Sequence, residues 1–352
     1  MKIKKCFPKF QTFIITVLAV IGILVCGQSA RAQVPSISNV SPNGAVQFQP
    51  SAALTFNASS SAGIATSAIS VQLTGTSLPG QTFVTTLTIA NGLIVGGTST
   101  SRNISAPLTN NTVYTAVIQV TDGNNHTTNS TVTFDTITPA YTFEAEDFDY
   151  NSGHFIDNPQ TNAYYDYNSS GAFNAVSGVD AFYNGGGGRA YGRTGLSTEA
   201  AGDKQRSQYT VLDPRTGQKY KDFDCGNASV GSWGNYTRTF PAGAYNIYMR
   251  AADAGGGNSG NVSMYLMTGH GPTKLGTFSV PSTGGWQTYT YVPLLDGGGN
   301  LVQFTGGAVE TLRATTDKSG YNANFYLLMP ANTTVPSINN IYPDGSDRKS
   351  VV

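Results

Sequence analysis

Along the first third of the chain, apolar residues recur at every second position in short runs separated by polar, Gly-containing turns. Leu54 and Phe56, then Ile69, Val71 and Leu73, then Phe83, Leu87 and Ile89, then Tyr114, Ala116, Ile118 and Val120, and finally Val132 and Phe134 show this spacing. A period of two places the apolar side chains of a run on one face of a strand. The spacing therefore predicts roughly seven half-buried strands in about 100 residues, the size and rhythm of a two-sheet sandwich. A Thr138-Pro139-Ala140 linker follows, and FEAEDF at 143–148 opens a second region. Its early part, 151–231, is polar, Gly-rich and aromatic, with the run Gly185 to Gly188; it reads as long loops with a few short strands. Too many aromatics occur there for a solvated tail. Regular alternation returns at 233–240, 245–251, 262–266, 275–280, 286–292, 301–304, 311–315 and 325–329. Those eight segments fit a second sandwich.

Within that series, GGWQTYTYV at 284–292 stands out. A glycine pair supplies a side-chain-free approach to Trp286, after which Gln287, Tyr289 and Tyr291 alternate with Thr288, Thr290 and Val292. An indole there is either a flat apolar platform offered to a ligand or the cap on a sandwich core, and spacing does not choose between them.

Composition sharpens the fold class. Only 11% of residues are charged, whereas long helices draw on Glu and Lys; abundant Gly, Thr, Ser, Asn and Tyr favour strands and turns. The expected fold is all-β. Residues 1–32 read as an export signal: Lys2, Lys4, Lys5 and Lys9, an apolar run from Phe13 to Cys26, and Ala30-Arg31-Ala32 as a cleavage site. The mature protein is expected to begin at Gln33, secreted or at the cell surface, with no membrane attachment after cleavage. Cys225 is then its only cysteine, so no internal disulfide forms. Removing the signal also removes five basic residues and leaves a mild excess of acid. A nucleic-acid surface needs clustered basic charge and is not expected.

Two resemblances organise the chain further. Leu108, Asn110-Asn111, Tyr114 and then Val120-Thr121-Asp122-Gly123 resemble the penultimate strand and final hairpin of bacterial immunoglobulin-like domains, which implies that residues 33–138 form such a sandwich. In that motif the tyrosine bonds a backbone group in its own corner, so Tyr114 is expected to be structural. Val335-Pro336-Ser337-Ile338 repeats Val34-Pro35-Ser36-Ile37, so 332–352 reads as the start of a second such repeat. Asp347 to Val352 are what a common sequencing-adapter string would encode, and the reading frame is expected to continue past Gly345 in the full gene.

Residues 141–331 resemble a carbohydrate-binding module of family 6, a β-jelly-roll sandwich. The matching pieces are Glu144-Ala145-Glu146-Asp147, Gly231 to Tyr236 leading into Phe240-Pro241-Ala242-Gly243, Arg250-Ala251-Ala252, Gly284 to Tyr289, and Tyr321 to Phe325. The resemblance implies sugar held between loop aromatics with an asparagine, carried over to Trp233, Trp286 and Asn322. An indole stacks on the apolar C–H face of a pyranose, and an amide offers donor and acceptor to a hydroxyl pair. Glu144 and Glu146 share one face of a strand, where they repel unless solvent or a cation relieves them. The resemblance implies structural calcium at Glu144 and Glu146, with Asn324 where the family often carries Asp; amide oxygen suits calcium, although losing a carboxylate weakens such a site.

No catalytic constellation is evident. Neighbouring glutamates on one strand are poorly placed to flank a glycosidic bond, His126, His154 and His270 are dispersed, and no nucleophile elbow occurs. The expectation is a non-catalytic protein that binds polysaccharide or oligosaccharide. The alternatives are a structural or adhesive surface protein and the targeting portion of a glycoside hydrolase.

Overall fold

The computed structural model describes residues 33–78, 80–149, 181–182, 189–190, 193–194, 197–210, 222–255 and 260–331. The export signal, most of the Tyr- and Gly-rich region and the 332–352 repeat lie outside the described residues. Apart from two short 3-10 turns, every described element is a strand, so the protein is all-β.

The N-terminal sandwich pairs a sheet of Ser36–Ser41, Ala53–Ser59, Ser101–Pro107 and Ile94–Thr98 with one of Thr82–Leu87, Ile69–Ser77, Thr112–Thr121 and Thr127–Asp135. Alternation places Leu54, Phe56, Ile69, Val71, Leu73, Ala116, Ile118, Val120 and Phe134 in its core. Ile89 departs from the expected pattern and is exposed. The chain leaves the sheet after Leu87 in a turn closed by the Leu93 N–H donating to Thr88 O (2.9 Å), and Leu93 returns to the core instead. Tyr114 is buried, and its hydroxyl accepts from Thr109 N (2.7 Å), as expected of a corner tyrosine.

The second sandwich has two layers. One contains Trp233–Thr239, Val309–Lys318, Asn261–Thr268 and Gly271–Ser279; the other centres on Gly285–Leu295, Gly243–Asp253, Asn322–Pro330, Phe223–Gly226 and Ser197–Ala200. Tyr141–Glu144 and Gln303–Gly306 extend the second layer. Ile247, Met249, Ala251, Tyr326 and Leu328 face the core between the layers.

The central strands of the second layer are buried on both faces. Tyr248, Phe325, Leu327 and Met329 point outward into a second cluster with Ile137, against which Phe48, Leu78 and Val113 of the N-terminal sandwich pack. Phe48 meets Phe325 edge-on at 5.7 Å. Polar contacts run alongside: Gln205 and Arg206 pair in parallel with Val46 and Gln47, and Lys204 Nζ donates to Thr133 O (2.7 Å). Even the Thr138-Pro139-Ala140 segment is engaged, with Ala140 N donating to Leu328 O (2.9 Å). The unbroken apolar run Phe325-Tyr326-Leu327-Leu328-Met329 is the sequence trace of a strand covered on two sides.

Candidate functional site

Trp286 is presented by a bulge. Gly243–Asp253 and Gly285–Leu295 pair regularly up to Ala252 opposite Tyr289, but the next pair is Asp253 opposite Gly285, which leaves 286–288 with no residue facing them. Extra residues on one strand bend it and re-aim its side chains. Gly284, at φ +86°, makes the turn in a backbone region that side chains disfavour. Thr283 fixes the turn, its N–H donating to Asp253 O and its Oγ1 accepting from Asp253 N. Trp286 is consequently 47% exposed.

The indole borders a cavity of about 440 Å³ that Glu199, Asp224, Tyr321 and Asn322 also line. Asn322 is buried, and its Nδ2 donates to Trp286 O (3.1 Å), so two of the expected residues come together. Gly226 makes room for this amide, because a Cβ there would lie 2.3 Å from Asn322 Oδ1. Trp233 does not line this cavity. Half-buried on its strand, it lies under the Arg313 guanidinium, 4.0 Å from its ring, and borders a smaller adjoining cavity that shares Ala228 and Tyr321 with the first.

Two carboxylates at this cavity were not expected. Glu199 and Asp224 are cross-strand neighbours on paired strands. Gln287 Nε2 donates to both, at 2.6 Å to Glu199 Oε1 and 2.9 Å to Asp224 Oδ2. Asn322 Nδ2 lies 3.3 Å from the first and 3.5 Å from the second, and the Tyr289 hydroxyl donates to Asp224. Burial pushes the Asp224 carboxyl up to about 7; hydrogen bonds from Tyr289 and Gln287 oppose this, while Glu199 adds repulsion. A folded value above the ordinary 3.8 means that Asp224 contributes stability that is fully present below about pH 4 and lost as pH rises through about 7. Asp224→Asn should therefore flatten the fall in melting stability between those pH values by about 1–2 kcal/mol, read from thermal unfolding across a pH series.

Glu144, Glu146 and Asn324, the expected calcium ligands, are all buried. Glu144 Oε1 accepts from the Arg206 guanidinium and the Tyr209 hydroxyl. Asn324 Oδ1 accepts from Arg250 Nη1 (2.5 Å), while its Nδ2 donates to Asp222 Oδ1 (2.8 Å) and to Phe223 O. Among the described residues, no group of three or more His, Cys, Asp or Glu is placed to hold a metal ion. Glu144 Oε1 and Asn324 Oδ1 thus already accept from guanidinium groups; calcium at Glu144, Glu146 and Asn324 is a proposal that chelation tests. EDTA should lower the thermal midpoint, as read by circular dichroism, if these residues hold calcium; an unchanged midpoint would remove the proposal.

The chain matches the family model for carbohydrate-binding module family 6 over residues 193–325. Over that stretch the chain is similar to a family 6 carbohydrate-binding module. Trp286, Asn322, Glu199 and Asp224 all lie inside the matched stretch, as do Trp233 and Asn324, whereas Glu144 and Glu146 precede it. Similar solved structures include the module CBM6cm-2 from Cellvibrio mixtus lichenase 5A in complex with cellotriose, at 24% identity over 39% of this chain and 88% of that one, TM-score 0.28. The C-terminal family 6 module of LamC, a marine laminarinase from Zobellia galactanivorans, is 26% identical over 38% and 98%, TM-score 0.26. A β-1,3-glucan-binding module from Bacillus halodurans is 24% identical over 39% and 87%, TM-score 0.28. Comparison with curated proteins gives no match.

Proposed function

We propose that this is a secreted, non-catalytic protein whose family 6 module binds polysaccharide at the cavity beside Trp286. The observation that carries the reading is the half-exposed indole on the bulge at 286–288, held over a cavity with the Asn322 amide. A soluble domain has little reason to bend a strand so that a tryptophan faces water, unless something apolar is to cover it. The C–H face of a pyranose does so, and Asn322, Glu199 and Asp224 stand beside the indole to meet its hydroxyls.

The carboxylates support binding rather than hydrolysis. Glu199 and Asp224 sit side by side on paired strands and share one amide donor, whereas glycoside hydrolysis needs two groups facing each other across the bond. Secretion is supported by the basic start, apolar run and Ala-Arg-Ala site of residues 1–32. No helix among the described residues is long and apolar enough to cross a membrane. The test is affinity electrophoresis of the intact chain through gels containing different polysaccharides. Retardation by at least one gel is expected; unaltered mobility in every gel would sink the reading.

A further inference from the structure

Among the described residues, exposed Glu199 and buried Asp224 lack the counter-charge that several buried acids of this sandwich possess. Glu144 and Asp222 share Arg206, and Asp149 has Arg238. At the Trp286 cavity the donors are neutral instead: the Gln287 and Asn322 amides and the Tyr289 phenol. Among the described residues, no Lys, Arg or His lines the cavity. Asp224 is fully buried, borders the cavity, and its Oδ1 has no hydrogen-bond partner. Leaving a buried carboxylate oxygen unmatched is costly, and two neighbouring carboxylates repel each other. Both costs fall if the ligand brings a cation.

Resting on the reading of this cavity as a glycan site, we propose that its ligand is a polysaccharide with free amino groups, a de-N-acetylated amino sugar whose ammonium lies between Glu199 and Asp224 while its ring covers Trp286. A primary ammonium presents three donors, enough for Asp224 Oδ1 and Glu199 together. Asn322 Nδ2 reaches both Trp286 O and Glu199 Oε1, at 3.1 and 3.3 Å, so platform and carboxylates lie within the span of one sugar residue. The same charge opposes uronic-acid and sulfated glycans.

Isothermal titration of the intact chain with a β-1,4-glucosamine hexamer, its fully N-acetylated counterpart, cellohexaose and an oligogalacturonate tests this. The free-amine hexamer should bind about 10-fold or more tightly than either neutral hexamer, a gap of about 1.4 kcal/mol. That advantage should shrink at high salt, and the oligogalacturonate should not bind. Glu199→Gln, at an exposed position, and Asp224→Asn should each bring the amine-to-neutral ratio towards one. Equal affinity for the N-acetylated hexamer, or a preference that survives Glu199→Gln, overturns the inference. Neutral binding that Trp286→Ala removes, without any amine preference, overturns this inference alone. No binding by any oligosaccharide overturns the glycan reading as well.

Discussion

Arg206→Met should destabilise the second sandwich by about 3–5 kcal/mol, the cost of removing one partner from a buried ion pair. Arg206 is fully buried. Its Nη2 donates to Glu144, to the Tyr209 hydroxyl (2.9 Å) and to Asp222 Oδ1 (3.3 Å). Its guanidinium also lies over the Phe325 ring at 3.9 Å, a ring that belongs to the cluster joining the two sandwiches. Methionine retains much of the packing volume but leaves Glu144 and Asp222 in the interior without a cation. Lysine should not restore the loss, because a single ammonium cannot reproduce a planar fork stacked on an aromatic face. Pairing Arg206→Met with Glu144→Gln should recover part of it, since the second change removes one of the stranded charges. Urea unfolding provides the measurement, and a loss below about 1 kcal/mol for Arg206→Met would contradict the assignment.

The second large effect is on binding. Trp286→Ala should abolish retardation by any polysaccharide that slows the wild-type chain, or weaken binding by roughly 10- to 100-fold. Because the indole is already 47% exposed, little core packing is lost, and the change in unfolding free energy should stay within about 0.5 kcal/mol. The contrast is Trp233→Ala, which removes the surface beneath the Arg313 guanidinium and should cost stability more than affinity. If Trp233→Ala lost binding while Trp286→Ala kept it, the cavity would have been assigned to the wrong tryptophan.

Much of the fold was legible because strand periodicity is a direct record of which face is covered. Leu54, Phe56, Ile69, Val71 and Leu73 announce one buried face, and the uninterrupted run at 325–329 announces two. What alternation cannot convey is the identity of the covering partner. The contact of Phe48 with Phe325 joins residues far apart in the chain, and a φ of +60° at Phe48 gives no signal in composition. Thr138-Pro139-Ala140 reads as a linker, yet Ala140 is hydrogen-bonded to the last strand.

The candidate site was legible in part for a similar reason. Gly284 and Trp286 carry a local signature, a turn glycine followed by an aromatic, and the structure uses both. Asn322 came from family resemblance and lies against the Trp286 carbonyl. Glu199 and Asp224 gave no signal, because a lone acid in a polar stretch looks solvated until strand pairing sets it opposite another. The glutamates at 144 and 146 show the same limit. Two acids on one strand call for positive charge, but sequence does not reveal that Arg206, some sixty residues on, supplies it to Glu144.

The most direct test of the glycan reading uses the chain's own fluorescence. It contains two tryptophans, so Trp233→Phe leaves Trp286 as the sole indole reporter. Titrating that variant with a polysaccharide that retards it should shift the emission to the blue and saturate at the concentration where binding saturates, as the exposed indole is covered. An emission maximum that stays fixed while the polysaccharide demonstrably binds would show that the ligand sits elsewhere.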